Sequence, residues 1–215
     1  MNGMQQHQRL VFQRAPELLR VDDCFISGPL RYLHSASQAG VDYPAVAIRL
    51  GSYATAVDSI IALDYLINIE KKYSLGDILT ALENNFKGAE VLRQLCLNSP
   101  KFGQDNDFAD KYAQDFLERV VLKLKSVHLE IDNCFFVPFF NLLTDTNYIA
   151  WGKRLGATPN GRFAGEPLSE NSAPSKGSAT NGITALLNSM AKLPLNMMTS
   201  GPLNLNFSPK LTQGD

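Results

Sequence analysis

Gly156-Ala157-Thr158-Pro159-Asn160-Gly161-Arg162-Phe163-Ala164-Gly165-Glu166-Pro167-Leu168 is the most heavily punctuated segment of this 215-residue chain. Pro159 presets φ, Asn160 tolerates positive φ and Gly161 accepts it freely, so the three together predict a tight turn. Arg162 follows on a rigid mount. A guanidinium held in that way suits a carboxylate or a set of backbone carbonyls, because its planar fork of donors works only when its stem cannot wander. From Gly156 to Thr180 no helical or strand period is present. A loop of that length is uncommon in a compact fold unless it packs around a functional cavity, so a lining role is expected.

Outward from this loop the pattern becomes regular. Ala54, Val57 and Ile61, with Ala56, Ile60, Leu63 and Ile67, recur near a 3.6 period and predict a long helix over Tyr53 to Lys72. Ser74 followed by Asp77 is a variant capping box opening a helix to about Phe86, which Gly88 breaks. A short helix is predicted from Ala89 to Leu97. Another, capped by Asp105 or Asn106, runs through Phe108, Tyr112, Phe116, Val120 and Leu124. Beyond Cys134 the reading is a strand at Cys134 to Phe140, long loops, one helix near Ile183 to Lys192 and a strand at Leu203 to Phe207. Helices interleaved with short strands give an α/β class. No linker composition or repeat interrupts the chain, so residues 1–215 read as one domain, with 1–13 expected to be disordered.

Composition excludes several functions. Twenty Lys and Arg against 21 Asp and Glu leave no basic field for nucleic acid or an anionic membrane. The longest apolar run, Cys134 to Leu143, is about half of a bilayer crossing. The N-terminus has no apolar core or cleavage site of a signal peptide, so a cytoplasmic location is expected. Three separated cysteines make neither a disulfide framework nor a metal knuckle. Cys24, Cys96 and Cys134 are expected to be packed small side chains, and His7, His34 and His128 show no ligand spacing. Asp58 is expected to cap or brace the long helix. No phosphate loop, dinucleotide fingerprint or Gly-x-Ser-x-Gly occurs, so no cofactor site is indicated.

The segment Gly156–Leu168 resembles the Ala-Thr-Pro-Asp-Gly-Arg-x-Ala-Gly-x-Pro-Leu signature of the glycyl radical enzymes, which include pyruvate formate-lyase and the glycerol, diol and hydroxyproline dehydratases. The likeness extends in order through Ser172-Ala173-Pro174-Ser175-Lys176-Gly177, Asn181 to Ser189 and Leu203 to Pro209. Upstream, Ala39-Gly40-Val41-Asp42-Tyr43 is similar to a Gly-Gly-Ala-x-Tyr element and Ala54 to Ile60 to an Ala-x-x-x-Asp-Ser-Leu helix start. The signature's Asp is Asn160 here. The resemblance implies the second half of a ten-stranded α/β barrel around an active site. It implies a radical stored on a glycine in an Arg-Val-x-Gly-Tyr loop, installed by a radical S-adenosylmethionine activase and relayed through a cysteine.

Neither the Arg-Val-x-Gly-Tyr sequence nor the context of the relay cysteine occurs in these 215 residues. The chain alone is therefore expected to be inactive: a fragment or subunit of a formate acetyltransferase-like or dehydratase-like lyase, or a non-catalytic module built on the same barrel. Either would need a partner, the remainder of the barrel or a full-length homologue, because a half barrel exposes sheet edges and apolar surface. Arg162 is either a brace within its loop or a substrate contact. Tyr43 either lines the cavity or is half-buried with its hydroxyl bonded to backbone.

Overall fold

The computed structural model describes residues 21–36, 40–43, 45–126, 135–139 and 146–205. The expected disorder of 1–13 and the placements of His7, His128 and Cys134 fall outside them. The chain folds as two compact units, Met1–Ile48 with Val121–Pro138, and Arg49–Val120 with Phe139–Asp215.

In the first unit a 3-10 turn, Val21–Phe25, leads to the single helical turn α1, Pro29–Tyr32, and then to β1, Ala45–Arg49, which pairs with β2, Phe135–Phe139, in a two-stranded sheet. β2 lies where the apolar run predicts it. β1 was not anticipated, because Ala45-Val46-Ala47-Ile48 is too short a run to separate from loop by pattern alone. Asp23 turns inward and accepts the Ala36 N–H at 2.9 Å, while the Tyr32 hydroxyl donates to Asp42 at 2.7 Å. Cys24 is exposed, against the expectation that it packs. The 3-10 turn buries Asp23 and leaves its neighbours outside.

The second unit is helical. α2, Tyr53–Asp64, continues without a break into a π-turn, Tyr65–Ile69, closed by Glu70 N–H on the Tyr65 carbonyl at 2.8 Å. The predicted long helix is therefore one element with a widened last turn. α3, Leu75–Glu83, opens on the expected capping box: Ser74 Oγ accepts the Asp77 N–H while Asp77 accepts the Ser74 N–H at 2.8 Å. α4, Glu90–Asn98, packs back on it, so that Leu66, Ile78, Ala81, Phe86, Leu92 and Cys96 form one core cluster. α5, Asp107–Lys125, receives a cap from Asn106 Oδ1 on the Ala109 N–H at 3.1 Å. Its stripe at Ala109, Ala113 and Leu117 is fully buried, continuing at the same spacing to Val121. Tyr53 sits edge-on to Phe102 with ring centres 5.8 Å apart, and its hydroxyl donates to the Ala113 carbonyl.

Two expectations fail in the C-terminal part. α6, Asn147–Arg154, forms where loop was expected. The strand expected at Leu203 to Phe207 does not form over 203–205, and Phe207 lies outside the described residues. Side chains rather than a ladder tie that segment down: Ser172 Oγ donates to the Pro202 carbonyl at 2.7 Å and Asn204 donates to Glu170 at 2.6 Å. The last helix, α7, Gly182–Ala191, is where it was predicted. The described structure is thus helix-rich with a single small sheet.

Two glycines inside helices separate propensity from packing. Ala normally exceeds Gly in a helix by about 1 kcal/mol. Gly76 in α3 has only the Ser74 hydroxyl near its notional Cβ, at 3.6 Å, whereas a Cβ on Gly152 in α6 would lie 2.2 Å from the Glu166 carbonyl oxygen. Gly76→Ala is expected to raise stability by up to about 1 kcal/mol in urea unfolding, and Gly152→Ala to lower it, reversing the propensity order.

Candidate functional site

The first turn of α2 has orphan N–H groups, as every helix start does. Ser52 precedes it in a left-handed conformation and supplies no cap. The cap comes from far along the chain: Ser169 Oγ accepts the Thr55 N–H at 2.9 Å, and Thr55 Oγ1 accepts the Ser169 N–H at 2.8 Å. Three residues on, and so on the same helix face, Asp58 is fully buried. Its carboxylate accepts the Phe102 N–H at 2.9 Å and the Ser175 hydroxyl at 2.6 Å. Asp58 therefore braces its helix, as expected, against both the α4–α5 connection and the 156–181 loop.

That loop closes on itself through the predicted turn. Gly161 N–H reaches the Thr158 carbonyl at 3.0 Å, and Thr158 and Arg162 form an isolated antiparallel bridge. Gly161 has φ +95°, and a Cβ there would lie 2.7 Å from the Leu97 side chain, so the position admits only glycine. Asn160 Oδ1 accepts from Thr158 Oγ1 at 2.7 Å and from the Arg162 N–H. Arg162 is 7% exposed. Its fork serves carbonyls of its own loop: Nη1 donates to Glu166 O at 2.6 Å, Nη2 to Gly156 O and Leu155 O, and Nε to Thr158 Oγ1 at 3.1 Å. The brace expected of it is present, with carbonyls as the acceptors in place of a carboxylate.

Between this loop, α4 and the start of α2 lies a cavity of about 860 Å3. The loop supplies most of its wall, including Asn160, Arg162, Ser175 and Ser178, as its length implied. Tyr43 belongs to the first unit and is 82% exposed there, not half-buried. The sequence reading missed Lys101 and Arg93, both on the wall. Lys101 is 4% exposed, donating to the Cys96 carbonyl at 2.6 Å and Ser99 Oγ at 2.7 Å. Arg93 donates through Nε to the Gly161 carbonyl at 2.9 Å and lies over the Phe163 ring at 3.7 Å. A single Lys after Ser99-Pro100 carries no signal in sequence, and only the fold buries it.

Burial sets the electrostatics. Loss of water pushes the Asp58 carboxyl up to about 6, opposed by Lys101 and by the bonds from Ser175 and Phe102. Desolvation lowers the Lys101 ammonium against the pull of Asp58. Burial raises the Cys96 thiol to about 11, which makes it an inert core group. No set of three or more His, Cys, Asp or Glu that could hold a metal occurs among the described residues, and none of their helices is long and apolar enough to cross a membrane.

A protein-family model described as pyruvate formate lyase-like matches residues 1–149. The chain is 33% identical over 197 residues to a trans-4-hydroxy-L-proline dehydratase of Clostridioides difficile, covering 91% of this chain and 24% of that protein. It is 33% identical over 168 residues to an isethionate sulfite-lyase of Bilophila wadsworthia, covering 75% and 19%. The fold superposes on the hydroxyproline dehydratase of Clostridioides difficile with a TM-score of 0.80 at 30% identity, over 88% of this chain and 24% of the other. On the B12-independent glycerol dehydratase of Clostridium butyricum the TM-score is 0.78 at 26% identity, over 90% and 24%. The chain belongs to the pyruvate formate-lyase-like glycyl radical enzyme family and spans a quarter or less of the length of these relatives.

Two outcomes follow from the geometry. Arg162→Lys replaces a fork by a point donor and is expected to cost about 2 kcal/mol or more, with faster proteolytic cutting inside 156–168. For Asp58 the folded pKa lies above the unfolded one, so the folded state binds the extra proton and stability falls as pH rises from about 4 to about 6. Urea unfolding of wild type against Asp58→Asn isolates this component. It is expected to be on the order of 3 kcal/mol across that window and absent from the variant.

Proposed function

We propose that this chain forms part of the barrel of a glycyl radical lyase, corresponding to its second half, and that the complete catalyst cleaves a carbon–carbon or carbon–heteroatom bond. The observation that carries this is the 156–181 loop: it holds the family's signature residues in order and closes a polar cavity with them. A glycyl radical enzyme needs a storage glycine and a relay cysteine. The Arg-Val-x-Gly-Tyr sequence does not occur in these residues, and Cys96 is locked in a helical core, so the residues present do not fit radical storage. What they supply is wall and bracing, and the storage glycine and relay cysteine of the complete catalyst lie outside these 215 residues. The substrate is not specified by Arg162, whose fork is already engaged.

The test is anaerobic incubation of the chain with a glycyl radical activase, alone and with a co-expressed polypeptide bearing the two catalytic loops, read by electron paramagnetic resonance. The chain alone is expected to give no carbon-centred doublet, and the mixture to give one together with co-purification. A doublet from the isolated chain would overturn the assignment. Co-purification without any signal or turnover would favour a non-catalytic module derived from the same barrel.

A further inference from the structure

The cavity wall is unbalanced in charge: Arg93, Lys101, Arg162 and Lys176 face it with Glu166. Arg162 is spent on its own loop. Lys101 is not. Of its three ammonium hydrogens, two go to Cys96 O and Ser99 Oγ, and Asp58, the carboxylate that acts on it through space, has its two oxygens engaged by Phe102 N–H and the Ser175 hydroxyl. One donor of a nearly buried cation thus has no acceptor among the described residues. Arg93 is similar: Nε is used and the ring of Phe163 covers one face, while its end-on pair of Nη groups has no carboxylate or carbonyl partner among those residues. Lys176 stands exposed on a turn closed by Ser178 N–H on the Ser175 carbonyl at 3.0 Å.

We propose that this cavity is a binding site for a small oxyanion, a carboxylate or a phosphate, held by the spare donor of Lys101 and the end-on pair of Arg93, with Lys176 drawing it in. Planar or tetrahedral oxygen sets accept such paired and point donors together. The volume is within the range of small-molecule sites. The inference goes beyond the lyase reading and does not rest on it, since anion binding requires no radical; its failure would leave the resonance experiment untouched.

Titration calorimetry of the full 215-residue chain with inorganic phosphate, and separately with succinate, at ionic strength held constant by sodium chloride, tests it. Saturable one-site binding of at least one probe is expected, weakened at least tenfold by Lys101→Met and by Arg93→Gln and unchanged by Lys192→Ala, which lies outside the cavity. Binding of phosphate alone assigns an inorganic anion, and of succinate alone a carboxylate metabolite. No saturation by either probe up to about 10 mM, weaker than a specific small-molecule site, would overturn the proposal. So would binding that Arg93→Gln leaves intact, and that variant, which removes no nearly buried charge, decides the matter should Lys101→Met fail to fold.

Discussion

Asp58 is a carboxylate with no exposed surface, and the second unit is organised around how it is kept there. Removing such a charge from water costs several kcal/mol unless hydrogen bonds and an opposite charge replace the solvent. Three replacements come from two parts of the chain: the Phe102 N–H and, through space, Lys101, both in the connection after α4, and the Ser175 hydroxyl from the signature loop. None is local in sequence, so the helix, the inter-helix connection and the loop are fixed together or not at all. Thr55 and Ser169 repeat the device one helical turn earlier, with a reciprocal pair of bonds across 114 residues of sequence. A loop without regular structure is in this way as firmly positioned as a helix.

The loop's own backbone obeys the same accounting. Backbone carbonyls need donors, and those of Gly156 and Glu166 obtain theirs from one side chain, Arg162, which also reaches the Leu155 carbonyl beside the Gly165 N–H. A ladder would have required a second strand; a guanidinium does the work from inside. Asn160 completes the arrangement. Its carbonyl oxygen accepts from Thr158 and from the Arg162 backbone, while its amide nitrogen faces Ser175 at 3.5 Å. Neutral at that position, it leaves the cavity with one carboxylate fewer against its cations.

Much of this was legible in sequence because it is written in local rules. The 3.6 period of α2, the Ser74–Asp77 box, the Asn106 cap and the Pro159-Asn160-Gly161 turn each depend on residues within a few positions of one another, and all are found. What was illegible depends on distant contacts. The π-turn after Asp64 keeps the periodic pattern while changing the hydrogen bonds. Leu203 to Leu205 has a strand's composition, but its Asn204 side chain donates to Glu170 and the Pro202 carbonyl just before it accepts from Ser172. Cys24 carries an apolar side chain's preference into a turn that points it outward. Lys101 and Arg93 look like ordinary surface charges until the fold places them on one cavity wall.

The pair formed by Asp58 and Lys101 shows why that wall is polar. Were they a tight ion pair, mutual attraction would hold both groups in their charged forms. Instead desolvation is the largest influence on each, raising the acid and lowering the base. The two do not touch through a hydrogen bond; each is satisfied by hydroxyl and backbone dipoles of Ser99, Ser175, Cys96 and Phe102. Dipoles stabilise a buried charge less completely than a counter-ion does, so the site keeps an electrostatic deficit. An apolar lining would deepen that deficit. A cavity walled by hydroxyls, amides and cations reduces it, because water or an anion can approach Lys101 without displacing any bond that holds the loop to α2.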